Sequence, residues 1–532
     1  MQISVKKLAT VLSVLVLATS AHWAIADKGT FVYCSEGSPA GFDSSQYTSG
    51  IDFNAGAYAL FDKLVAYKPG TSEIIPSLAE SWDVSPDGKT YTFHLRPNVQ
   101  FHSTDYFKPT RNFQAEDVLF TFGRMIKKDH PSNRLYPAEY PNAVDMGLTR
   151  NIVSIKKIDN LTVEFKLQKV DAPFLKKIAV PFAMIHSAEY AQQLANRGQL
   201  AQLNQKPIGT GPFIFSSYAK DEAIRYLGNK NYWDADAVKI DKLVFSIVPD
   251  AAVRYQKMKK GECDLIGTPN FTDIDAMRKE PDFKVQDATG VNIGYLAYNT
   301  EKPETKKLAV RQALDMAINR QALVDAAYGN QGLVAINPYP AALWSHNTSV
   351  KNAPFNVEKA KALLAQAGYP NGFETDLWTT THDKSWRRMA EMIQADWAKI
   401  GVKANIVSYE TAEFLKRISL GEYTTTLSSW GGGYADPDHF LGTLLTCRAV
   451  GGSNVARYCS AEYDALVEKA VTLTNQTERS KLYEQAQVIL KRDLPWTTLT
   501  HTARNQPMRK SVQGYNVSPS GSRDFRYVSK SE

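Results

Sequence analysis

Beyond its N-terminus this chain has no apolar run long enough to cross a bilayer. It also has no run of lysine and arginine, although its formal charge is +7. A nucleic-acid partner and a polybasic membrane surface are therefore not expected. Cysteine is scarce, with four in 532 residues, and the nine histidines are scattered. A phosphate-cradling loop fails on one residue: Gly88-Lys89-Thr90 has the right ending, but Asp83 stands where the leading glycine belongs. No H-E-x-x-H, zinc-type Cys/His spacing or G-x-S-x-G elbow occurs. Ser217-Tyr218-Ala219-Lys220 matches S-x-x-K without the companion motifs of that chemistry. No activated nucleophile or acid/base pair assembles, so neither catalysis nor a resident cofactor or metal is expected. Internal repeats and low-complexity tracts are missing too.

What is present is a large chain with 43% apolar residues, enough for two or three domains. It opens as an export signal: Lys6 and Lys7, an apolar stretch over 8–21, then Ala24-Ile25-Ala26. Cleavage after Ala26 is expected, and no cysteine follows that would carry a lipid. Export leads to an oxidising compartment, so Cys34, Cys263, Cys447 and Cys459 read as two disulfides. Three connectivities are possible. Closeness in sequence favours Cys447 with Cys459, leaving Cys34 with Cys263.

The texture of the chain divides it. A first strand over 29–34 and an apolar helix over 52–64 open a lobe at 27–70. Residues 71–200 carry repeated hairpin signals, with the Ser85-Pro86-Asp87-Gly88 turn leading into an alternating strand over 90–95, and read as an inserted β-rich domain. Pro207-Ile208-Gly209-Thr210-Gly211-Pro212-Phe213 punctuates a return to the first lobe over 201–290. Over 291–490 helices and strands alternate, which makes a second, α/β lobe. Its signals include helices over 310–329, 356–368 and 385–401, the last with the apolar stripe Met389, Ile393, Trp397 and Ile400. Residues 491–532 have short strands and turns and read as a third piece of lobe one.

Ligands of α/β domains bind at strand ends. One such end is Trp430-Gly431-Gly432-Gly433-Tyr434-Ala435-Asp436-Pro437-Asp438-His439-Phe440. Its glycines have access to positive φ and leave the main chain bare. A second candidate is Tyr47-Thr48-Ser49-Gly50, where hydroxyls precede a helix; the same residues suit ordinary N-capping.

Five stretches, taken together, resemble one family. They are Val32-Tyr33-Cys34-Ser35-Glu36-Gly37-Ser38-Pro39, Leu78-Ala79-Glu80-Ser81-Trp82, the segment Asp87-Gly88-Lys89-Thr90-Tyr91-Thr92-Phe93-His94-Leu95-Arg96, the punctuation motif at 207–213, and Arg388-Met389-Ala390-Glu391-Met392-Ile393-Gln394-Ala395-Asp396-Trp397-Ala398-Lys399. The chain resembles the family 5 extracellular solute-binding proteins of peptide and nickel ABC importers. The resemblance implies a type II-like periplasmic binding fold: two hinged lobes and a β-rich domain inserted in lobe one. It implies a periplasmic, monomeric receptor that closes on a dipeptide or related solute and hands it to permease subunits in the inner membrane. The cysteine pairing favoured above agrees with the family's pattern.

Burying a zwitterion strands two charges unless each meets a partner. In the family's dipeptide-binding members, an Asp in the loop matching 430–440 meets the α-amine, and an Arg before the helix matching 385–400 meets the α-carboxylate. This sequence departs at both places. Gly433 stands at the acid's position, and Thr379-Thr380-Thr381-His382-Asp383-Lys384-Ser385 is shorter and lacks the Arg. Either Asp436 or Asp383 replaces the acid and Arg387 or Lys384 the base, or the ligand is not a free zwitterion. In the second case the amides of 431–433 would receive an anion or carbonyl of a modified peptide, an opine-like compound, haem or a metal chelate. His382 and His439 are the support for haem or metal. The expected ligand set is Thr48, Ser49, Gly50, His382, Arg387, Trp430, Gly431, Gly433, Tyr434 and Asp436.

Overall fold

The computed structural model describes residues 29–531 except 72, 382, 383 and 432. The expected signal segment and His382 lie outside the described residues. The architecture is α/β, with two lobes and an extra β-rich domain, as the resemblance implies.

Lobe one is built on a seven-stranded sheet in the order Phe283–Ala288, Arg504–Arg509, Leu265–Ile266, Thr30–Ser35, Lys242–Ile247, Ala223–Gly228, Phe213–Ala219. Thr30–Ser35 is central and runs parallel to both neighbours. Its aromatics meet those of adjacent strands: Tyr33 packs edge-on against Phe245 at 4.8 Å. The disulfides join Cys34 to Cys263 and Cys447 to Cys459, as favoured from the sequence. The first ties the central strand to the segment that enters its neighbour.

The inserted domain holds a four-stranded antiparallel sheet, Ala79–Val84, Thr90–Leu95, Thr162–Leu167, Ile152–Asp159. Alternation in Thr90–Leu95 sends Tyr91, Phe93 and Leu95 inward, where Phe93, Phe122 and Phe165 form a buried aromatic cluster. The 207–213 motif joins this domain to lobe one. A Cβ on Gly209 would stand 2.0 Å from the Leu60 carbonyl oxygen, so only glycine allows that backbone approach.

Lobe two is built on a six-stranded sheet in the order Gly332–Val334, Trp496–Thr502, Asn292–Tyr298, Thr425–Gly431, Glu374–Thr380, Lys403–Tyr409. Every residue of Asn292–Tyr298 is buried, as in a strand covered on both faces. One layer of helices includes Lys384–Ala398, whose Met389, Ile393 and Trp397 are fully buried as the stripe implied.

Three sequence expectations are corrected. The helix expected over 52–64 breaks at Gly56 and ends at Leu60. The helix expected over 310–329 is two, Leu308–Met316 and Arg320–Tyr328. Asn319 separates them: its side chain caps the second helix, and its N–H donates to Asp396 at 3.0 Å. Trp496–Thr502, read as part of the tail's return to lobe one, lies in the sheet of lobe two.

The chain therefore crosses between the lobes along two adjacent paths, 289–291 and Ala503. On either side the crossing strands pair antiparallel, Ala288 with Arg504 in lobe one and Gly294 with Thr500 in lobe two. The Asn292 side chain staples the paths together. Its Nδ2 donates to the Thr502 carbonyl at 2.7 Å, and its Oδ1 accepts from the Thr502 N–H at 2.8 Å.

Candidate functional site

Thr425–Gly431 runs through the middle of lobe two and delivers its C-terminal end to the interlobe face. The loop after it turns into the fully buried helix Asp438–Leu444. Neither Gly431 nor Gly433 takes a positive φ, so the conformational access that glycine offers is not used at those positions. A Cβ on Gly433 would make only ordinary contacts, with His439 at 3.5 Å and Val180 at 3.7 Å. Glycine here leaves the main chain bare; the backbone does not demand it.

His439 shapes this loop from beneath. Its Nε2 accepts from the Trp430 indole N–H at 2.9 Å and from the Gly433 N–H at 2.7 Å. A nitrogen receiving two N–H groups has no proton to offer the Gly431 carbonyl, 3.3 Å away. The ring proton therefore sits on Nδ1, which is buried without a partner. Burial holds this histidine down to about 4, so it is neutral at pH 7. His439 is thus a scaffold for the loop, and its Nε2 is not free to hold a ligand or metal. Among the described residues no three His, Cys, Asp or Glu stand together as a metal site.

Asp436 and Tyr434 are engaged by protein groups of lobe two and the inserted domain. The Asp436 carboxylate is fully buried and accepts from both terminal nitrogens of Arg479, at 2.8 and 3.2 Å. Lys176 of the inserted domain adds a contact at 3.4 Å and also donates to the Ala435 carbonyl at 3.1 Å. Next to this, Lys177 sits between Asp171 at 3.0 Å and Asp438 at 3.4 Å. Burial pushes Asp171 above the usual carboxylate range; Lys177 opposes the shift and Asp438 adds to it. The Tyr434 ring packs 4.3 Å from His439 and joins the hydrophobic core of the inserted domain, while its hydroxyl donates to Asp438 at 3.1 Å. Lobe two is therefore docked on the inserted domain through these side chains. Substitution of Asp436 for the amine-binding acid is not supported, because all its acceptor capacity goes to protein groups.

The other expected residues scatter. Thr48, Ser49 and Gly50 are exposed, and the Ser49 hydroxyl accepts from the Ile51 N–H as an N-cap. Arg387 is exposed on its helix and pairs with Glu391 one turn on, at 2.9 Å, which leaves it a surface ion pair. Trp430 and Gly433 are half-buried and Gly431 is exposed. Beside Gly431 stands a residue the sequence did not single out: the Nη2 of Arg504 lies 3.4 Å from where a Cβ on Gly431 would be.

A cavity of about 740 Å³ opens where lobe two, the inserted domain and the C-terminal segment meet. Gly433 and Tyr434 form part of its wall, together with Lys63, Lys176, Arg479 and Arg526. Burial, with Arg526 nearby, pulls the Lys63 ammonium down to about 8. Trp430, Gly431 and Thr48 do not line this cavity, so the two ends of the glycine loop look onto different surfaces.

Residues 73–452 match the family model of the bacterial extracellular solute-binding proteins, family 5. The chain is 51% identical over 502 residues to di/tripeptide-binding protein 1 of Pseudomonas aeruginosa, covering 94% of each. It is 44% identical to heme-binding protein A of Haemophilus influenzae, covering 94% of this chain and 92% of that one. The crystal structure of a dipeptide-binding protein from Pseudoalteromonas sp. SM9913 in complex with Met-Leu superposes with a TM-score of 0.90 at 35% identity, covering 94% of this chain and 100% of that chain. The fold, the resemblance read from five sequence stretches and these matches agree: the chain belongs to the bacterial extracellular solute-binding proteins, family 5.

Proposed function

We propose that this protein is the receptor of an ABC importer that captures dipeptides and related peptide-like solutes between its lobes and releases them unaltered to membrane permease subunits. The observation that carries this reading is the 51% identity, over nearly the whole chain, to a relative named for di- and tripeptides. The docking of lobe two on the inserted domain and the double-stranded crossing at 289–291 and 503 support closure about a hinge. The working form is a periplasmic monomer cleaved after Ala26. Lobe one comprises 27–70, 201–290 and the segment from 504 onward; 71–200 is the inserted domain and 291–503 is lobe two.

The test is calorimetry on protein freed of cargo by unfolding and refolding, titrated with a dipeptide and tripeptide library. Binding with no change in the recovered peptide is expected. Absence of binding across the library, or hydrolysis of the peptide, overturns the reading. The 44% identity to a heme-binding protein favours one second reading, a heme receptor. A Soret band that forms and saturates on titration with heme would favour that alternative.

A further inference from the structure

Arg504 is the first residue of lobe one after the crossing at Ala503. Its side chain turns toward lobe two. Besides the approach of its Nη2 to Gly431, its Cζ lies 3.0 Å from where a Cβ on Gly521 would stand, at a residue with φ of +84°. No carboxylate accepts from this guanidinium among the described residues, and its Nε is buried without a partner. The one charged group acting on it is a second cation, Arg523; with burial, this pulls Arg504 down to about 10.

Arg523 is held firmly charged: against burial, Glu36, Tyr33 and Tyr515 raise its guanidinium above its ordinary value. Its Nε is likewise buried without a partner, and its carboxylate contact among the described residues, Glu36, is 3.5 Å away. Glu36 is also shared, accepting from the Tyr33 hydroxyl at 2.7 Å and the Thr268 hydroxyl at 3.3 Å. Arg504 thus has no carboxylate partner among the described residues, and the carboxylate of its cationic neighbour Arg523 is already shared. An unmatched buried cation is costly and is relieved by an anion able to accept two parallel N–H groups.

We propose that Arg504, backed by Arg523, is the carboxylate subsite of the cleft, and that a bound peptide places its α-carboxylate there, against the bare main chain of Gly431. The proposal rests on the peptide-receptor reading and gives it a polarity: the C-terminal end of the ligand lies at the hinge. It also explains how the chain manages without an arginine in the segment before Lys384–Ala398, and why Arg387 is free to serve as a surface ion pair.

Three ligands decide it, measured by calorimetry on the refolded, cargo-free protein: alanyl-leucine, its C-terminal amide and its N-acetyl derivative. The wild type is expected to bind the free acid at least about 100-fold more tightly than the amide. Arg504→Met is expected to bind the acid about 100-fold more weakly, with acid and amide now equal. Its ligand-free melting temperature should hold or rise, since an unmatched charge has been removed. Arg504→Lys should keep part of the preference for the acid; if Arg504→Met fails to fold, this variant and the wild-type ratio decide. Equal binding of acid and amide by the wild type, or an unchanged preference in Arg504→Met, overturns the subsite while leaving the peptide receptor standing. A larger loss with the N-acetyl derivative than with the amide places the ligand's principal anchor at its amine and also overturns it. Failure of every di- and tripeptide to bind the wild type removes both readings.

Discussion

Arg479 holds Asp436 through both of its terminal nitrogens, at 2.8 and 3.2 Å, in a site from which the carboxylate has no access to solvent. The pair fixes the loop between Gly433 and the helix Asp438–Leu444, and Lys176 brings the inserted domain to it. Removing one partner leaves the other as an uncompensated buried charge. Asp436→Ala is therefore expected to cost about 3–5 kcal/mol of stability. Urea denaturation checks this; unchanged stability with abolished peptide binding would return Asp436 to the ligand set.

Tyr434 belongs to lobe two in sequence but is buried in the core of the inserted domain. Opening the cleft must withdraw it. Tyr434→Ala is expected to shift the population toward open forms and weaken every ligand alike, by up to about 3–5 kcal/mol, the usual cost of removing a large buried aromatic. Small-angle scattering of the ligand-free variant should show a larger radius of gyration than the wild type. An affinity loss confined to certain ligands would instead mark Tyr434 as a specificity contact.

Three buried histidines, His102, His439 and His501, are each held down to about 4 by burial. The unfolded chain takes up their protons near pH 6.5 and the folded chain does not, so stability is full above that pH and falls as pH drops from about 6.5 to about 4. Each histidine contributes on the order of a few kcal/mol to that fall. Denaturation midpoints across this window should decline, and His501→Gln should flatten the slope. A flat profile in the wild type would show that these rings are solvated.

The two disulfides close loops of very different size, with sequence separations of 229 and 12. On the chain-entropy model they contribute roughly 5 and about 3 kcal/mol. Cys34→Ser with Cys263→Ser should therefore lower the melting temperature more than Cys447→Ser with Cys459→Ser. Scanning calorimetry of the two double variants gives the order directly.

Local pattern made much of this legible. Alternation placed the strand Thr90–Leu95, and the 3.6-residue stripe placed Met389, Ile393 and Trp397 in the core. Cysteine spacing favoured the correct bridges. The site was less legible because its logic is long-range. Asp436 looked free until Arg479, 43 residues on, was seen to hold it. Arg504 and Arg523 carry no motif; only the return of the tail into lobe one brings them near Gly431 and Glu36. The faint signal available was a lone charge ending the uncharged stretch 496–503, where the chain changes lobes.

Arg504–Arg509 is inserted between Phe283–Ala288 and Leu265–Ile266 in the sheet of lobe one. A chain emerging N-terminus first therefore cannot pair Phe283–Ala288 in this sheet until nearly all of it is available. Any product cut short before Arg504 would retain all four cysteines and the helices of lobe two, yet expose an orphan strand edge ready for proteolysis or aggregation. Completion of the lobe-one sheet thus depends on the chain's last few dozen residues.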